Sequence, residues 1–277
     1  MRFRPAAWLA FVVLAAGAAA ATLTLRPPVA RAYANGVPAF VTDAAPYCAG
    51  CHSSCSRTQL REMSLAHQEA QYMENKHYGP LLRGEGRYAS IPEGDRKAIL
   101  DDVRMVDANT TVALSGLRDV KVSQVVELTV TVHGGGGPLV GVMLVDADYR
   151  YQARPLASSG WYVSAAPRVI GPDGTTQTTW QAGRARGLKD NLSFVEIDGI
   201  TCDLATKTFP TSTVIWQLRA PREPGTYPVV ACLLYGTEKS ASKGWTELPN
   251  GERIPVGGRD APSGRIMFSA PLLVKVR

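Results

Sequence analysis

Five consecutive residues, Cys48-Ala49-Gly50-Cys51-His52, place two thiols at C-x-x-C spacing with an imidazole directly after the second. That order suits covalent attachment of a c-type haem: each thiol adds to one vinyl group of the porphyrin, and the next residue offers its imidazole to the iron as proximal ligand. A C-x-x-C pair also serves as a redox dithiol, a disulfide or half of a zinc site. Zinc asks for a second C-x-x-C or an H-x-x-x-H, and the remaining cysteines, Cys55, Cys202 and Cys232, are spaced for neither. Cys48, Cys51 and Cys55 together match neither ferredoxin pattern, and a fourth ligand is missing nearby. One covalent haem c is the reading carried forward, with a disulfide or redox thiol pair as the alternative.

The second axial ligand decides what such an iron does. His52, His67 and His77 all fall in one short segment, and His133 is the other histidine of the chain. His77 ranks first as distal ligand, because it ends a helical pattern beside a Gly-Pro loop where a side chain can swing onto a haem face. His67 and then Met73 follow, and Met63 shares the face of His67. Each has an ordinary structural reading as well, the methionines as core filler and a lone histidine as a solvated surface group. Two strong axial ligands confine the iron to electron transfer, whereas an open position admits a gas or peroxide. Arg83, Arg87 and Tyr88 lie on the loop that follows, where guanidinium groups either pair with haem propionates or solvate the loop.

The positioning elements begin with an export signal. Arg2 and Arg4 precede an uncharged apolar run at 7–25, Pro27 and Pro28 break it, and Ala32-Tyr33-Ala34 supplies a small-x-small cleavage site. Uncleaved, the run at 7–25 is long enough to anchor the chain in a membrane. Both readings put the body outside the cytoplasm, in the periplasm or beyond, where disulfides persist. The net charge of +6 includes Arg2, Arg4, Arg26 and Arg31 of the signal; without them 26 basic residues face 24 acidic ones, and no basic stripe for nucleic acid remains.

Residues 56–78 are rich in helix formers, with Leu60, Met63, His67 and Ala70 on one face. A glycine-punctuated loop is expected at 78–90. A second helix is expected at 92–105, with proline in its first turn and Ile99, Leu100 and Val103 turned inward. From Asn109 onward the pattern is β, with strands at 120–133, 139–146, 213–219, 227–235 and 268–276. Gly134 to Gly137 is expected to be a flexible hairpin turn. Tyr227 heads a late apolar strand much as the corner tyrosine of immunoglobulin-like sandwiches does. Cys202 and Cys232, the two cysteines of this half, are expected to form a disulfide closing a loop of about 30 residues and stabilising by roughly 3 kcal/mol; two unrelated buried thiols are the alternative.

Cys48 to His52, the Gly79-Pro80-Leu81-Leu82 loop and the helix around Asp95 to Val106 resemble the small class I cytochromes c. The resemblance departs at the distal side, since 84–91 hold none of the methionine such proteins place before their last helix. The β half, through Leu128-Thr129-Val130-Thr131-Val132, Gly141-Val142-Met143-Leu144, Val214-Ile215-Trp216-Gln217-Leu218-Arg219 and Gly225-Thr226-Tyr227, resembles Reelin-like domains of exported bacterial proteins. That likeness implies a surface or assembly role.

The expected class is therefore α+β multidomain: after a signal at 1–34, a small all-α cytochrome c-like domain at 35–107, then an antiparallel immunoglobulin-like β-sandwich at 108–277. The expected function is extracytoplasmic electron transfer to a redox partner protein or a larger membrane-associated respiratory complex, not catalysis. Competing functions are adhesion or assembly with a structural haem, and a haem sensor or enzyme with an open iron. No G-x-S-x-G or H-E-x-x-H supports hydrolysis.

Overall fold

The chain was analysed as a computed structural model, which describes residues 78–137, 139–147, 153–181, 192–236, 241, 243–255 and 264–277. Two α-helices lead: α1 (Gly79–Arg83) and α2 (Glu93–Ala108). The strands follow as β1 (Thr111–Gly116), β2 (Asp119–Val120), β3 (Val125–His133), β4 (Leu139–Val145), β5 (Tyr162–Val163), β6 (Arg168–Ile170), β7 (Thr176–Gln177), β8 (Phe194–Asp198), β9 (Thr211–Arg219), β10 (Gly225–Gly236), β11 (Trp245–Glu247), β12 (Arg253–Pro255), β13 (Gly264–Phe268) and β14 (Leu272–Val276).

Strict alternation explains the first sheet. In β3 the side chains of Val126, Leu128, Val130 and Val132 are buried while their neighbours point outward, and β9 repeats this with Ser212, Val214, Trp216 and Leu218. The two strands pair antiparallel, Val130 opposite Val214 and Leu128 opposite Trp216, within the order β1-β3-β9-β6-β7, with β5 also on β9. Trp216 satisfies its indole N–H by donating to the Leu192 carbonyl at 2.7 Å.

The second sheet runs β2-β14-β10-β4-β8, with β13 on the same edge of β10 as β14. Its central strands are continuous apolar runs because both faces are buried. Val142 and Leu144 of β4, opposite Leu233 and Ala231 of β10, face the first sheet and join the main core. Met143 and Val145, opposite Cys232 and Val230, are equally buried on the other face. The stretch expected as one strand over 268–276 is two: Ser269 to Pro271 interrupts it, since proline has no N–H for the ladder. Ser269 fills the gap by donating its N–H to the Ala231 carbonyl and accepting the Ala231 N–H on Oγ. The two faced sheets are the immunoglobulin-like β-sandwich, and its corner is present: the Tyr227 hydroxyl donates to the Glu223 carbonyl at 3.0 Å.

The four glycines at 134–137 make no hairpin. They carry the chain from β3 in the first sheet to β4 in the second. Gly134, Gly135 and Gly137 have φ of 73°, 82° and 79°, and a Cβ on Gly134 would lie 2.3 Å from the Asn109 carbonyl oxygen. The Gly135 N–H donates to Thr110 Oγ1, whose hydroxyl donates back to the Val106 carbonyl in the last turn of α2. The passage is therefore packed against a helix end.

The expected fold class is overturned. Among the described residues the sheets dominate, and the two α-helices do not make a small all-α cytochrome domain. The loop expected at 78–90 contains α1 and a 3-10 turn at Gly86–Tyr88. α2 buries Ile99, Leu100 and Val103 with Leu81, Tyr88 and Ile91, while Val106, one turn on, belongs to the core of the sandwich. Helical propensity supplied two short elements; burial against the sheets decided where they sit.

Candidate functional site

Cys48, Cys51, His52, His67, Met73 and His77 lie outside the described residues, as do Cys55 and the apolar run at 7–25. Of the expected site, the structure describes the stretch that follows His77. Tyr78 stands at the N-terminus of α1 and Pro80 falls in its first turn, which tolerates the missing N–H. Gly84, with φ of 65°, ends the helix in the left-handed conformation. Arg83 is exposed and pairs with Glu85, Nε to Oε1 at 2.5 Å, and that partner holds the Glu85 carboxyl below its ordinary range. Arg87 sits in the 3-10 turn beside Tyr88, which is buried.

What the structure does assemble is a buried polar centre that the residue pattern gave no hint of. Asp107, in the last turn of α2, receives Arg265 of β13 through Nη2 to Oδ2 at 2.8 Å and Nε to Oδ1 at 3.1 Å. The Tyr235 hydroxyl of β10 donates to Oδ1 and the Tyr78 hydroxyl donates to Oδ2, each at 2.9 Å. Both charged side chains are almost wholly buried, 6 % exposed for Asp107 and 2 % for Arg265. The Tyr78 ring also lies near two guanidinium groups, Arg104 at 5.1 Å and Arg265 at 5.6 Å from its centroid. A carboxylate out of water survives because it is met by a planar two-pronged donor and two hydroxyls. The four groups are 29 to 158 residues apart along the chain, so no spacing rule points to them.

No disulfide joins Cys202 and Cys232, a correction to the expected bridge. Cys232 faces away from the inter-sheet core, opposite Met143 and Phe268, whereas Cys202 Sγ donates to the Gly135 carbonyl beside Val140 and Tyr235 on the inner side. The two sulfurs sit on different sides of one sheet. Burial pushes the Cys202 thiol up to about 11, so it is a protonated donor at neutral pH. His133 is a structural group, with Nδ1 3.0 Å from Thr211 Oγ1 on the neighbouring strand. Among the described residues no cluster of three or more His, Cys, Asp or Glu side chains is arranged to hold a metal ion.

No family model matches the chain. No curated protein matches it either. Among solved structures it is similar to the CARDB domain of the PF1109 protein from Pyrococcus furiosus, solved in complex with di-metal ions, at 15 % identity over 61 % of this chain and 88 % of that one, with a TM-score of 0.23. The immunoglobulin-like sandwich rests on the strand order, the two-faced core and the tyrosine corner given above. Among the described residues no helix is long and apolar enough to cross a membrane.

Proposed function

We propose that this chain is an exported electron carrier with one covalent haem c, whose β-sandwich serves as its docking or assembly module. The carrying observation is Cys48-Ala49-Gly50-Cys51-His52 in a chain that opens with an export signal. The donor set suits the group: two thiols at vinyl spacing for the thioether bonds, and the imidazole of His52 for the iron. When bound, haem c supplies one-electron oxidation and reduction.

The remaining roles fall to this chain's own side chains. Cys48 and Cys51 fix the porphyrin covalently, and His52 holds one axial position. His77, or failing it His67 or Met73, closes the other and so keeps exogenous ligands out. Arg83 is available to a propionate, because its contact with Glu85 is an exposed pair that contributes little; Arg87 is a second such candidate. The sandwich has no part in the redox step and presents a stable surface to a redox partner or a membrane-associated respiratory complex, in the periplasm or outside the cell, with 7–25 as signal or tether.

Expression of the full chain with a cytochrome c maturation system tests this. One haem added to the mass of the exported polypeptide, with a Soret band lost in Cys48→Ser and Cys51→Ser, is the expected result. A bare polypeptide mass with no visible absorbance overturns it.

A further inference from the structure

We infer that Tyr78 is a positioning residue for His77, holding that imidazole at the sixth position of the iron through Asp107 and Arg265. The inference rests on the haem reading above and adds to it which distal ligand is used and what holds it. Adjacent Cα atoms of a trans-linked chain are about 3.8 Å apart, so whatever fixes Tyr78 fixes the backbone of His77 to within one peptide. Tyr78 is fixed unusually well for the first residue of a five-residue helix. Its hydroxyl donates to a buried carboxylate, its ring packs against the cluster of Leu81, Tyr88 and Val103, and two guanidinium groups flank its face.

The carboxylate is itself immobile. Arg265 grips both its oxygens, and Tyr235 holds one of them from β10. The anchor thus runs from the central strands of the sandwich to the residue next to His77. His67 and Met73 are eleven and five positions from that anchor along the chain, and His77 is one. A ligand on an anchored backbone loses less conformational freedom on binding iron, and it returns faster than an exogenous ligand can enter. The hydroxyl of Tyr78 touches no haem atom in this account; it acts only through the backbone.

Two conservative variants of the haem-loaded full chain separate positioning from plain stability. Tyr78→Phe and Tyr235→Phe each delete one hydroxyl bond to the same carboxylate, keep the ring, and lower the melting temperature to a similar degree. Only Tyr78→Phe is expected to speed carbon monoxide binding to the reduced protein, by about tenfold, the population change that loss of a hydrogen bond to a charged group brings. His77→Ala is expected to bind carbon monoxide fully and lose its low-spin bands. Equal carbon monoxide rates in the two phenylalanine variants, or low-spin bands surviving in His77→Ala, overturn the inference and leave the electron-carrier reading standing. A protein that carries no haem at all overturns both.

Discussion

Asp107 and Arg265, 158 residues apart in the chain, meet as a two-pronged ion pair that leaves almost none of either side chain in water. It joins the end of α2 to a strand of the second sheet. Removing one partner strands the other charge in a medium that cannot solvate it. Arg265→Met alone is expected to cost about 3–5 kcal/mol, read as a lower denaturant midpoint, and adding Asp107→Leu in the same chain is expected to recover part of that loss. A double variant no more stable than the single one would show that the pair is not coupled.

The glycine passage yields a second prediction. Gly134→Ala forces a left-handed φ on alanine and drives its Cβ into the Asn109 carbonyl, whereas Gly174→Ala meets nothing within 4 Å at a similar φ of 77°. The Gly174 variant is expected to lose only the left-handed cost, about 1–2 kcal/mol, and the Gly134 variant clearly more. Thermal unfolding of the two side by side decides it.

Tyr227→Phe removes the hydroxyl that ties the head of β10 to Glu223 while leaving the ring edge-on to Trp161. A destabilisation of about 1 kcal/mol is expected in urea, with the near-ultraviolet signal of the folded state retained. Loss of that signal would mean the ring contact, not the bond, is what the substitution disturbs.

The separation of Cys202 and Cys232 predicts that the folded chain releases no thiols from this half on reduction after unfolding without reductant. The titration of Cys202 adds a pH signature. In the folded state its thiol keeps its proton up to about pH 11, whereas in the unfolded chain it ionises near 9.0. Above the lower value the unfolded state binds fewer protons, so this contribution to stability is intact below pH 9, declines between 9 and 11, and is gone beyond. Cys202→Ser keeps a donor to Gly135 and does not ionise in that window; its urea midpoint is expected to fall less steeply with rising pH than that of the parent chain.

Strand identity was legible wherever burial alternates or is continuous. Val126 to Val132 and Val140 to Leu144 announce themselves because one face, or both, must leave water. Ile99, Leu100 and Val103 were legible for the same reason at helical period. The break at Ser269–Pro271 was not, although Pro271 is a local signal for it; neither was the sheet change at the four glycines, because a turn between two strands looks the same in one dimension whichever sheet the second strand joins. The disulfide expectation failed on parity, since chain position does not say which side of a sheet a cysteine faces. The site is a sharper case. Its chemistry is written in five adjacent residues, while the centre next to His77 draws on Tyr78, Asp107, Tyr235 and Arg265, which only the folded topology brings together.

The buried route between the sheets limits where this molecule can be engineered. A reporter peptide or a circular-permutation break at 134–137 would wedge apart a helix terminus and a strand, despite four glycines that look like an invitation to insertion. The exposed turn at Asp173-Gly174, closed by Thr175 on the Asp173 carboxylate, is the better splice point, since it lies on the rim between two short edge strands.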